Sequence, residues 1–196
     1  MSESQIIVPA SAEIPTLRRR SFLTGLGGLT LSAAAVAMLA GKESLAAGTS
    51  GNAEADVNIL AGALAAEQEA IAAYQLGAES GLLQKPVLDL AVTFQGHHKE
   101  HADVLASTIS KLGGKPAKAK SSYDFPVEKL KSQRDVLEFA AGLEKGAVSA
   151  YLGAVPLFDN RDLATAAASI LGDEAMHWAV LRQALGLAPV PSAFVS

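Results

Sequence analysis

Four stretches of the chain repeat apolar residues near the helical period, and each is bounded by helix-start or helix-stop residues. The first runs from about Asp56 to Glu79, with Ile59, Leu60, Leu64, Ile71, Tyr74 and Leu76 near one face and Gly81 as its stop. The second runs from about Pro86 to Leu112; Pro86 suits a first helical turn and Gly113-Gly114 suits a C-terminal cap. The third starts near Ser132, where Ser132-x-x-Asp135 reads as a capping box, and continues to about Gly153 before the break at Pro156. The fourth runs from about Asp162 to Leu185 and stops at Gly186. Short turns join the first to the second and the third to the fourth. The link Gly113–Lys131, about 19 residues with Pro116 and Pro126, is long enough to cross the length of a bundle. The pattern predicts an all-α antiparallel four-helix bundle with one long crossover between helices 2 and 3.

The two predicted hairpins resemble each other. Glu67 precedes Tyr74 by two helical turns, and Glu144 precedes Tyr151 by the same interval, so each pair shares a helix face. Gly96-His97-His98-Lys99-Glu100-His101-Ala102-Asp103-Val104-Leu105 aligns without gaps on Gly172-Asp173-Glu174-Ala175-Met176-His177-Trp178-Ala179-Val180-Leu181. His98 stands opposite Glu174, and His101 opposite His177. Residues three apart on a helix face the same way, so an oxygen and an imidazole nitrogen can converge on one cation. Bundles that hold two metals draw one Glu from each of two helices and Glu-x-x-His from each of the other two. This chain supplies Glu67, His98-x-x-His101, Glu144 and Glu174-x-x-His177 in that order.

Those six residues carry a resemblance: the chain resembles the twin-arginine-exported, ferritin-like proteins of the ferritin-like/desiccation-related group over about residues 53–187. The resemblance implies a di-iron or di-manganese site with Glu67, His98, His101, Glu144, Glu174 and His177 as ligands. His98 departs from it, since the family pattern places a Glu there that usually bridges the two metals. An imidazole cannot bridge as a carboxylate does, and three carboxylates face the charge of two divalent ions. The site is therefore expected to bind its second metal more weakly, to take water-derived ligands, or to be mononuclear. Its imidazole content keeps zinc and copper open.

The other residues of this region read more plainly. His97 is expected outside the ligand set. Tyr74 and Tyr151 read first as core packing, with a hydrogen-bonding role behind the ligands kept open. Trp178 reads as packing, and Gly96 and Gly172 as positions of close helix approach. Glu69, Glu79, Glu128 and Glu138 read as solvated, as does the lysine cluster Lys111, Lys115, Lys118, Lys120, Lys129 and Lys131.

The N-terminus reads as an address. Arg18-Arg19-Arg20-Ser21-Phe22-Leu23 precedes an uncharged stretch from Ser21 to Gly41, and Ser44-Leu45-Ala46 offers small residues for cleavage. The pattern is similar to a twin-arginine signal, which implies passage of the folded protein through the twin-arginine machinery to the periplasm or beyond. The alternative is an anchor formed by residues 21–41. The predicted division is 1–46 signal and linker and 47–196 bundle, with no stable span after cleavage. Composition trims the remaining options. The 196-residue chain has a formal charge of −4, which gives no basis for a nucleic-acid partner. It has no cysteine, so disulfides, thiolate zinc sites and iron–sulfur clusters are excluded. The expected function is an exported metal-binding protein with oxygen, peroxide or metal redox chemistry, and a homo-oligomer is compatible with it. The alternative is a non-catalytic, stress-associated or structural bundle with a degenerate site.

Overall fold

The computed structural model describes residues 52–195; the predicted signal and its boundary near residue 46 lie outside the described residues. Four long helices account for most of these: α1 Ala53–Glu79, α2 Lys85–Lys111, α3 Gln133–Ala154 and α4 Arg161–Ala184. Their ends fall close to the expected ones because the punctuation acts as anticipated. Gly81, Gly113 and Gly186 have φ of 71°, 83° and 75°, the left-handed region where a side chain is strained. Gly114 N donates to Ile109 O at 2.9 Å and Leu187 N to Arg182 O at 2.9 Å, closing the ends of α2 and α4. Ser132 Oγ accepts from Asp135 N at 3.2 Å, and Asp135 Oδ2 accepts from Lys131 N at 3.0 Å, so Ser132 caps α3 and Asp135 reaches back to the residue before the cap rather than to Ser132 N. No strand occurs among the described residues, and none of the helices is long and apolar enough to cross a membrane.

Contacts at the two ends fix the topology. A Cβ at Gly114 would lie 2.8 Å from Val57 Cγ1, so α2 ends where α1 begins. Gln84 N donates to Gln133 Oε1 at 2.8 Å, so α3 begins at the opposite end, beside the α1–α2 turn. The crossover therefore runs the length of the bundle, and Ala117 O accepts from Gln68 Nε2 at 2.9 Å on the way. Tyr74 pairs with Glu144 and Tyr151 with Glu67, which makes α1 and α3 antiparallel.

Two apolar clusters fill the interior. One, around Leu60, Leu64, Leu105, Ile109, Leu163 and Ile170, occupies the end where α1 and α4 begin. The other, around Tyr74, Phe94, Leu137, Ala140 and Leu181, lies toward the opposite end. Trp178 packs on the second cluster and carries Arg182 over its ring at 5.2 Å, as a packing residue should. Gly96 and Gly172 correct an expectation: a Cβ at either meets nothing within 4 Å, because both face outward rather than into a helix crossing.

Asp56, which marked only the start of α1 in sequence, is buried and ties the two hairpins together. Its Oδ1 accepts from Asp159 N at 2.9 Å and its Oδ2 from Asn160 N at 3.0 Å, just ahead of α4. Asp56→Ala is expected to destabilise the fold by about 1.5–3 kcal/mol, the range for hydrogen bonds to a charged group. Urea unfolding measures it; an unchanged midpoint would show that the paired amides find other acceptors.

Candidate metal centre

Between the two apolar clusters lies a polar layer to which every helix contributes. α1 gives Glu67, α2 gives His98 and His101, α3 gives Glu144, and α4 gives Glu174 and His177. The structure brings all six sequence-predicted residues together. Five are almost fully buried, and the His101 side chain is 15% exposed. Helical phase explains the convergence: i,i+3 spacing stacks His98 on His101 and Glu174 on His177, and antiparallel packing turns these pairs toward the lone Glu of α1 and α3.

The donors fall into two overlapping groups whose ligand atoms all lie within 4.8 Å of one another: Glu67, His98, His101 and Glu174, and then His98, Glu144, Glu174 and His177. Each group draws three residues from one hairpin and one from the other. The residues shared by both are His98 and Glu174, the repeat-equivalent pair. His98 bridges the layer, with Nδ1 at 2.8 Å from Glu67 Oε2 and Nε2 at 3.3 Å from Glu144 Oε1. Glu174 bridges it from the other side. Its Oε1 is 3.2 Å from His101 Nδ1 and its Oε2 is 3.6 Å from His177 Nδ1, without hydrogen-bond alignment.

That misalignment is the test of fit for a metal. His101 Nδ1, His177 Nδ1 and both oxygens of Glu174 are buried and have no hydrogen-bond partner among the described residues. Buried polar atoms are nearly always satisfied. Four orphans, all of ligand type and all on two repeat-related i,i+3 motifs, fit cations between Glu174 and each histidine.

The tyrosines do more than pack. Tyr74 on α1 donates to Glu144 on α3, and Tyr151 on α3 donates to Glu67 Oε1 on α1 at 2.6 Å. Each thus fixes the carboxylate of the opposite hairpin rather than the Glu two turns away on its own helix. His97 stays outside the six but touches them: its Nδ1 lies 2.9 Å from His177 Nε2 and 3.2 Å from Asp173 Oδ2. Asp173 Oδ2 also lies 3.2 Å from His177 Nε2 and 3.5 Å from His101 Nε2, behind both imidazoles. Its signal in the sequence was adjacency to Glu174, which places it one step round the helix toward α2.

The layer's charges are interlocked. Burial works to raise the Glu67 carboxyl, but the neighbouring His101 and His98 imidazoliums prevail and hold it down at about 2. Burial likewise opposes ionisation of Glu144, and His177 and His98 outweigh it and lower that carboxyl. Glu174 goes the other way: burial, supported by neighbouring Glu144, raises it despite His101 and His177. Burial pulls the histidines down, yet facing carboxylates overcome it. Glu144 and Glu67 raise His98 to about 10, Glu174 and Glu67 raise His101 to about 9, and Glu144 and Glu174 raise His177 to about 9. Without metal, the layer is a neutralising mesh of imidazoliums and carboxylates.

Comparison with known proteins places this geometry in context. The family described as Ferritin-like domain matches residues 55–187. The structure is similar to that of a conserved hypothetical protein from Mycobacterium tuberculosis, at 25% identity and a TM-score of 0.63, covering 72% of this chain and 97% of that one. It is also similar to a structure described as ferritin like, diiron-carboxylate proteins from Bacillus anthracis, at 22% identity and a TM-score of 0.60, covering 70% of this chain and 99% of that one. No curated protein matches the chain.

Proposed function

The chain belongs to the ferritin-like domain family, and on that premise we propose that it is an exported protein holding two iron or manganese ions that act on dioxygen or peroxide. The observation that carries the reading is the set of orphaned atoms on Glu174, His101 and His177. In this reading Glu67 and His101 hold one cation, Glu144 and His177 hold the other, and Glu174 lies between them. Bound iron or manganese would supply redox equivalents and open coordination positions.

The protein's own part is preorganisation. Tyr74 and Tyr151 hold the two outer carboxylates, and the Asp173 carboxylate faces the outer ring nitrogens of both imidazoles. The two apolar clusters keep bulk water from the layer. His98 occupies the place of a second bridging carboxylate, so the donor set carries less negative charge than four carboxylates would. It favours an asymmetric loading in which one cation binds more tightly than the other. Export through the twin-arginine machinery supports acquisition of metal in the cytoplasm before passage to the periplasm or beyond; the basis is Arg19-Arg20-x-Phe22-Leu23 and the stretch after it.

The test is metal analysis of the full chain purified from its native compartment, followed by titration of the stripped protein with iron or manganese. About two ions per chain and peroxide or oxygen consumption support the reading. Metal-free protein that takes up neither ion would sink it. Because His101 and His177 are raised to about 9, loading near neutral pH displaces their protons, and apparent affinity should climb toward pH ~9. The sign for the metal-free fold is opposite. Raised histidines stabilise it below their unfolded value of about 6.5, and that contribution is lost as pH rises through about 9–10.

A further inference from the structure

His97 and Asp173 are not among the six donors, yet they meet the layer from outside. His97 Nδ1 lies 2.9 Å from His177 Nε2, and Asp173 Oδ2 lies 3.2 Å from each of those nitrogens. The three atoms close a triangle. A cation held at ~2.0–2.2 Å by imidazole nitrogen and carboxylate oxygen keeps neighbouring donors ~3.0–3.4 Å apart. The triangle therefore has the dimensions of one face of a coordination shell. Hydrogen bonds serve it less well: a proton lies along one edge, whereas a cation above the centre serves all three. Two imidazoles and a carboxylate are donors suited to divalent iron, cobalt or zinc.

The second observation is how His177 is placed. Its Nε2 belongs to this triangle, while its buried Nδ1 faces Glu144 and Glu174 and has no hydrogen-bond partner among the described residues. One ring thus presents a nitrogen to each side. A neutral imidazole has a single ring lone pair, on whichever nitrogen lacks the proton. His177 can therefore ligate a cation on one side at a time. Side-chain exposure falls in the same direction, from 42% at His97 to 24% at Asp173 and 2% at His177. The triangle opens to solvent at one corner and reaches the centre at another.

We propose that His97 Nδ1, Asp173 Oδ2 and His177 Nε2 form an outer site that captures a divalent transition-metal cation from solvent and hands it to the Glu144 and His177 side of the centre. With a cation on Nε2, the ring proton of His177 sits on Nδ1. As the cation moves inward, Nδ1 gives up that proton and Nε2 takes one, so the ring carries one proton in either position. The handover rests on the reading of the layer as a metal centre; the outer site itself does not.

The test uses cobalt(II), whose visible absorption reports its ligands, and the full chain. His97→Phe keeps a flat ring beside Phe94 and His177 and removes the nitrogen; Asp173→Asn keeps the shape and removes the charge. When metal-free protein is mixed with cobalt in a stopped-flow cell, His97→Phe is expected to load several-fold more slowly than the wild type and to reach the same final content. A Glu174→Gln chain, its inner centre disabled, is expected to bind one cobalt weakly, and adding His97→Phe or Asp173→Asn to weaken that binding by about tenfold or more. Equal loading rates for His97→Phe and wild type would overturn the handover. Equal binding by the Glu174→Gln chain and both double variants would overturn the outer site. A lower final content in His97→Phe would overturn the proposal too, since His97 would then be a resident ligand of the centre. A wild type that binds only one cobalt, and loses it on His97→Phe, would support the outer site while overturning the reading of the centre.

Discussion

Glu174→Gln is expected to strip the centre of metal while leaving the bundle folded. The side chain has no exposure, both oxygens lack hydrogen-bond partners, and burial with Glu144 nearby raises its carboxyl. In metal-free protein this carboxyl makes no hydrogen bond, so an amide of the same shape breaks none. With cations present the balance reverses. An amide brings no charge and cannot share two oxygens between two ions. Replacing residues behind metal ligands costs about 10–100-fold in affinity, and losing a donor common to both groups should exceed that range. The expected result is negligible metal after dialysis against a chelator, with a metal-free Tm close to that of the wild type. Normal loading of Glu174→Gln would remove Glu174 from the ligand set.

The second large effect is expected from His98→Glu, which restores at α2 the residue found at its repeat partner. The metal-free protein should suffer. His98, raised to about 10 by Glu144 and Glu67 against the pull of burial, is the imidazolium that joins those two carboxylates. Replacing it with a fourth carboxylate breaks a buried ion network, typically about 3–5 kcal/mol, and for a chain of this size lowers Tm by ~10 °C. The metal-loaded protein should gain, because the added charge offsets the second cation and a carboxylate can bridge. Calorimetry with and without metal should show a lower metal-free Tm and a larger rise on loading. A weaker rise than in the wild type would identify His98 as a ligand that a carboxylate cannot replace.

The helices and the six donors were legible because each depends on short-range spacing. Period 3.6 placed the apolar faces, Gly81, Gly113 and Gly186 marked the stops, and three-residue intervals paired the ligands. What depended on contacts between distant segments was not legible. Asp56 reads as an ordinary acid in a first helical turn, and nothing nearby announces partners more than 100 residues away. The tyrosines shared a face with their own Glu, yet antiparallel packing gave each to the other hairpin's carboxylate. Glycine proved ambiguous for the same reason. Gly96 and Gly172 looked like contact points and face open space, whereas Gly114 needs its missing side chain, with Val57 Cγ1 only 2.8 Å from where a Cβ would lie.

The sharing of His98 and Glu174 by both donor groups bears on the order in which the molecule assembles. A hairpin folded alone would carry three donors of one group and one of the other, so neither hairpin completes a group by itself. The full four-donor groups form only across the two halves, so metal bound there would act as a latch on their seam. Chelation should therefore loosen the seam between the hairpins before any helix melts, and the crossover would then act as a tether that keeps the halves within reach of each other until the latch is refilled.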